Sequence, residues 1–189
     1  MQTLLALLVM WTGYAIAAPI EIEVHVAGGL ASGMVLTLAE AQASRLLREA
    51  GVQVRWVRSH TRGCDELHAI DVAILWQSQA NDHPGALGYA LPFAKSGVRV
   101  TIFYDRLKTA ELRPNPELLG HVLAHELGHV LMATQVHGSE GIMKAHWTRA
   151  EIEHMQAHPM RFTEDDADAI ARRFQSVALV AISQADRNR

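Results

Sequence analysis

Hydrophobic and polar positions alternate along Glu21–Val26 and again along Val52–Val57, the period-two pattern of half-buried strands. Between them, Leu38, Ala41, Leu46, Leu47 and Ala50 fall at helical spacing. Thr37, with Glu40 three residues on, predicts a capping box that opens a helix over 37–50, and Gly51 stops it. Ile70–Trp76 is more continuously apolar and predicts a third, more central strand. The stretch 78–85, SQANDHPG, consists largely of turn formers. Ala86–Leu91 follows as a short strand ending at Pro92, which favours a sheet edge, and Val98–Tyr104 is a stronger one. Beyond the breaker Arg113–Pro116, a helix is predicted from Pro116 or Glu117 to about Met132. Thr148 caps another from Arg149 to about Gln156. Thr163 caps the last, with Glu164, Asp165 and Asp166 at its positive end. The order β-α-β-β-β-β-α-α-α predicts one α+β domain, with the sheet first and the helices last.

Composition narrows the class. The 189 residues are 49% hydrophobic and 20% charged, too apolar for disorder. A formal net charge of −3 gives no basic stripe, so a nucleic-acid partner is not expected. Residues 2–17, QTLLALLVMWTGYAIA, carry no charged side chain and end in the small-x-small pattern Ala15-Ile16-Ala17. Thr12, Gly13 and Tyr14 break the run, so no stable membrane span is expected. We therefore expect a signal peptide over 1–17, a single domain over 18–189, and a secreted or periplasmic, monomeric product. Cys64 is the only cysteine, which rules out an intramolecular disulfide and any Cys-rich zinc module. It reads as a loop residue.

Histidine is the outlier: of 11 in the chain, seven lie between His121 and His158. His125-Glu126-Leu127-Gly128-His129 is HExxH, set within the helix predicted at 116–132. Residues four apart share a helix face, their Cβ atoms about 5–6 Å apart, so two imidazoles there can meet one ion. Glu126 is turned about 100° from His125, beside the ion and not on it, where it can take a proton from water. A catalytic zinc site needs a third protein ligand and an open fourth position. His121 cannot be that ligand, because three histidines spread over eight residues span about 12 Å of straight helix. His137 could be, provided the chain leaves the helix between Met132 and Val136 and folds back. Ala133-Thr134-Gln135 permits such a turn without announcing it. The competing third ligands are acidic: Glu151 or Glu153 on one helix, Glu164, Asp165 or Asp168 on the next. The bland alternative is that the histidines only pack. His146, His154 and His158 read as surface residues.

With HELGHVLMATQVH followed by GSEGIM, the chain resembles a metzincin-type zinc metallopeptidase. It departs from the usual HExxHxxGxxH: Met132 and Gln135 hold the glycine and third-histidine positions, and the histidine comes at 137. The resemblance implies one catalytic zinc ion held by His125, His129 and His137, with Glu126 as general base and Met143 as a Met-turn floor beneath the metal. It implies a zincin-like mixed, twisted sheet of four to five strands, with a long helix after the first strand, a zinc helix, and C-terminal helices. The run Gly85–Pro92 resembles the edge strand that pairs with substrate in matrixin-like members, which marks Leu87, Gly88, Tyr89 and Ala90. Trp147, after the Met-turn, either walls the substrate pocket or only packs. The implied activity is hydrolysis of peptide bonds in a peptide or protein. The alternatives are a different amide substrate, a zinc-dependent binding role, or a gluzincin-type site with an acidic third ligand.

Overall fold

The computed structural model describes residues 19–28, 33–58, 68–79, 81–107 and 115–187. The signal-peptide reading of 1–17 and the loop reading of Cys64 fall outside these residues. Five strands form one sheet: β1 (Ile20–Ala27), β2 (Val52–Val57), β3 (Ala69–Leu75), β4 (Gly88–Ala90) and β5 (Val98–Phe103). Their order is β2-β1-β3-β5-β4, parallel except for β4, which runs antiparallel along β5. The most apolar strand, β3, lies in the middle, as its sequence predicted. The short run before Pro92 lies at the edge.

One face of the sheet carries the main core, and parts of β1 and β5 are buried on both faces. Ile22, Val24 and Val26 of β1, Ile70, Val72 and Ile74 of β3, and Val100 and Ile102 of β5 share the core, while Glu21, Gln53 and Arg55 face outward. That alternation is what the period-two pattern requires. Two helices cover the buried face: α1 (Gly33–Glu49), which crosses from β1 to β2, and α2 (Pro116–Met132). Helices α3 (Arg149–His154) and α4 (Glu164–Arg187) complete the α+β order read from the sequence.

One helix starts earlier than its local sequence signal. α1 begins four residues before Thr37, and Thr37 does not cap it: its hydroxyl donates back to the Gly33 carbonyl at 2.9 Å. Such back-bonding is the mid-helix habit of threonine. Glu40 is buried and takes both guanidinium nitrogens of Arg58, so it is a tertiary ion pair and not half of a capping box. The threonine caps expected for the last two helices do form, each as a reciprocal box. Thr148 and Glu151 cap α3 reciprocally, and Thr163 and Asp166 do the same ahead of α4.

α2 is the element that positions everything else. Every residue from Leu118 to Leu131 is buried, so the helix runs through the core with apolar contacts all round. Asn115 caps its start by accepting from the Leu118 N–H, and Pro116 occupies the first turn, where no N–H is missed. It ends at Ala133, held in the left-handed region at φ 52°, ψ 52°. The Ala133 and Thr134 N–H groups close back on Val130 and His129 carbonyls at 3.2 and 3.1 Å. A left-handed alanine costs about 1–2 kcal/mol, which glycine avoids. Ala133→Gly should therefore stabilise the protein by about 0.5–1 kcal/mol, once glycine's larger unfolded-state entropy is deducted. Urea unfolding checks this, and a destabilised variant would show that the helix does not end in that conformation.

Candidate metal centre

Three imidazoles meet just beyond this helix end. His125 and His129 stand one turn apart on α2, and the reversal at Ala133 swings His137 back beside them. The Nε2 atoms of His129 and His125 lie 3.1 Å apart, and those of His129 and His137 3.3 Å apart. One ring nitrogen from each of the three falls within 4.8 Å of the others. The triad contains no carboxylate. Among the acidic alternatives, Glu151 is engaged by Lys144 and Thr148, and Glu153 pairs with Arg149.

The rings are oriented by backbone. His125 Nδ1–H donates to the Ile142 carbonyl at 2.7 Å, and His129 Nδ1–H donates to the Thr134 carbonyl at 3.0 Å. Each imidazole therefore carries its proton on Nδ1 and turns a bare Nε2 lone pair inward. Burial lowers the pKa of all three rings, that of His125 to about 4, with their mutual repulsion adding to it for His125 and His129. With both protons on Nδ1, the two helix rings cannot hydrogen-bond to one another through Nε2. A cation satisfies them: zinc at about 2.0–2.1 Å from each nitrogen sets tetrahedral N···N edges of roughly 3.3–3.4 Å. The residues present fit a zinc ion.

Glu126 is buried at the same place, and desolvation raises its carboxyl pKa to about 8. A bound cation opposes that shift and favours the carboxylate. Beneath the site, residues 138–144 form a closed turn. Gly138 N–H donates to the Met143 carbonyl at 2.8 Å, and Ile142 N–H to the Arg161 carbonyl at 2.8 Å. Gly141 sits at φ 68°, where a side chain would also collide with the Arg161 carbonyl at 2.7 Å. This turn delivers the Ile142 carbonyl to His125 and buries Met143 against α2. Gly128, between the two histidines, is what lets it approach: a Cβ there would lie 2.8 Å from the Met143 sulfur and 2.8 Å from the Phe162 ring. The sequence signal for that contact was a glycine in mid-helix.

A cavity of about 620 Å³ opens over the triad and Glu126. Leu87, Gly88, Tyr89, Ala90 and Trp147, all marked in the sequence as substrate-side candidates, line it. Gly88 crosses directly above the general-base candidate, where a Cβ would sit 3.2 Å from Glu126 Cγ and 2.8 Å from the Thr101 carbonyl. Trp147 both lines the cavity and packs: its ring meets His125 edge-on at 5.6 Å and His121 at 6.3 Å. His121 itself is a packing residue. Its Nδ1–H donates to the Glu117 carbonyl and its Nε2 accepts from the Met160 N–H, so neither nitrogen is free for an ion. His146, His154 and His158 are exposed. The two backbone carbonyls that fix the rings, and the loop 82–86 on the cavity rim, were not foreseen.

No protein-family profile and no curated protein sequence matches this chain. Among solved structures it resembles the archaemetzincin of Methanopyrus kandleri, at 15% identity and a TM-score of 0.51, over 86% of this chain and 99% of that one. Two structures of myroilysin superpose less well. One is 17% identical, with a TM-score of 0.39 over 78% of this chain and 64% of that chain. The other is 18% identical, with a TM-score of 0.41 over 80% and 62%. The likeness to the archaemetzincin defines the fold as metzincin-like: a mostly parallel five-stranded twisted sheet under helices.

The wall of the cavity carries a titration of its own. Lys144 Nζ donates to Glu151, which also accepts from the Thr148 N–H and hydroxyl, and these contacts hold the Glu151 carboxyl near about 2. A depressed carboxyl pKa contributes stability that is complete above the ordinary glutamate value of 4.5 and fades as pH falls toward 2. Thermal midpoints of wild type and Glu151→Gln should differ steadily above about pH 5 and converge in more acid solution. A gap independent of pH would contradict the ion-pair account.

Proposed function

We propose that this chain is a zinc-dependent endopeptidase. The observation that supports this best is the meeting, in one cavity, of three imidazole nitrogens, a buried carboxyl and a free sheet edge. His125, His129 and His137 would hold the ion, leaving its cavity side open. A zinc ion there supplies a Lewis acid and an acidified water at neutral pH.

The remaining work falls to the protein. Within β4, the antiparallel register pairs Tyr89 with Thr101 through both backbone groups, because Leu87 and Leu91 bond to Phe103 and Arg99 on the same side. The N–H and C=O of Gly88 and Ala90 therefore point away from β5, along an edge that no described strand covers. An extended peptide laid along that edge would gain backbone hydrogen bonds without regard to side chain, which brings its scissile carbonyl over the triad. The Glu126 carboxylate takes a proton from the attacking water as oxygen adds to the carbonyl carbon. It then hands that proton to the amide nitrogen as the C–N bond breaks. Met143 serves as the apolar floor that keeps the two helix histidines in register. The signal-like residues 1–17 accord with an exported enzyme.

Glu126→Gln should bind one zinc per chain as wild type does and lose about 100- to 10,000-fold in kcat on an unfolded protein substrate. Activity that survives the change would contradict the assigned proton path. Ala90→Pro removes one outward N–H and no ladder bond. It should raise KM several-fold and leave kcat and zinc content near wild type; an unchanged KM would remove β4 from the substrate path.

A further inference from the structure

The segment that leads into β4 is held by one side chain from the far end of β5. Arg106 lies in the short 3₁₀ turn Tyr104–Leu107, directly after β5. Its Nη1 donates to the His83 carbonyl at 2.9 Å and the Ala86 carbonyl at 2.6 Å, and its Nη2 donates to the Asp82 carbonyl at 2.7 Å. Its Nε donates to Ser78 Oγ at 3.1 Å, and that hydroxyl in turn donates to Asp105 at 2.9 Å. The guanidinium carbon sits 4.1 Å over the Phe103 ring. Three carbonyls aimed at one cation is an arrangement that a loop of turn formers does not adopt unaided.

The loop so gathered forms the rim of the cavity and continues without a break into the free edge. His83 is held at φ 38°, a left-handed conformation that residues other than glycine rarely adopt. In that position its ring stacks on Tyr89 at 4.3 Å and 25°. Tyr89 is the one residue of β4 whose backbone faces β5, flanked by the two whose backbone faces the cavity.

We propose that Arg106 is the positioning residue of the substrate edge: its guanidinium collects the Asp82, His83 and Ala86 carbonyls, locks His83 onto Tyr89, and so aims Gly88 and Ala90 along the cavity. The planar fork with its several fixed donors does this, and a lysine ammonium, with a single nitrogen, cannot reach all three carbonyls and the serine together. This inference rests on the peptidase reading for its kinetic consequence, but its structural consequence can be read without it.

The test compares zinc-loaded, full-length wild type, Arg106→Lys and Arg106→Ala. Zinc stoichiometry and thermal midpoint establish that each variant is folded and loaded. Backbone amide exchange then reports on residues 81–91 against α2 in the same sample. Both variants should speed exchange in 81–91 by about tenfold or more while α2 keeps its protection. On a peptide substrate KM should rise about tenfold with kcat within about twofold, and added guanidinium ion should restore KM in Arg106→Ala but not in Arg106→Lys. Unchanged exchange in 81–91 overturns the proposal whatever the kinetics. Fast exchange with an unchanged KM overturns it too. If wild type binds zinc but cleaves no peptide, the peptidase reading has failed, and the exchange result still decides whether Arg106 organises the loop.

Discussion

Two hydrogen bonds from imidazole to backbone govern this structure's chemistry. The Ile142 and Thr134 carbonyls take the Nδ1 protons of His125 and His129, and that alone decides which nitrogen each ring presents to the cavity. Both carbonyls are delivered by irregular chain just past α2. Thr134 follows the left-handed Ala133, and Ile142 follows the Gly141 turn. The same reversal that exposes Thr134's carbonyl also returns His137 to its partners. One break in one helix thus supplies a ring, an orienting acceptor and the open side of the site.

That break works because the helix before it cannot move. α2 is buried along its whole length between Leu118 and Leu131, so its histidines are fixed by core packing and not by a surface face. Two glycines allow other elements to reach it closely enough to matter. Gly128 admits Met143 from below, and Gly88 admits the edge strand from above, within contact of Glu126. The site is a sandwich of turn, helix and strand, and each layer meets the next where a side chain is missing. Burial also sets the electrostatics: it keeps the imidazoles neutral and ready to ligate, and it penalises the Glu126 carboxylate until a cation shares the space.

Much of this was legible in the chain itself. Period-two runs located β1 and β2, apolar runs between turn formers located the other three strands, and the central and edge places of β3 and β4 followed from continuous apolarity and from Pro92. The histidine spacing placed the pair on α2, and the axial distance from His125 showed that His137 could join only across a turn. What stayed hidden depended on contacts between distant residues. The start of α1 was lost because Thr37 bonds back to Gly33 and Glu40 reaches Arg58, so a local capping signal was overridden by tertiary structure. The turn at Ala133 carried no glycine to mark it. Backbone acceptors leave no trace in side-chain identity, and nothing local to Arg106 signals the carbonyls twenty or more residues earlier that it gathers.

We propose that three histidine Nε2 atoms bind one zinc with a fourth position open to solvent. X-ray absorption at the zinc edge of the loaded protein tests it directly. Four light scatterers at about 2.0–2.1 Å, with outer-shell scattering from three imidazoles, are expected. Two imidazoles with a carboxylate, a sulfur scatterer, or a shell of water alone would contradict it.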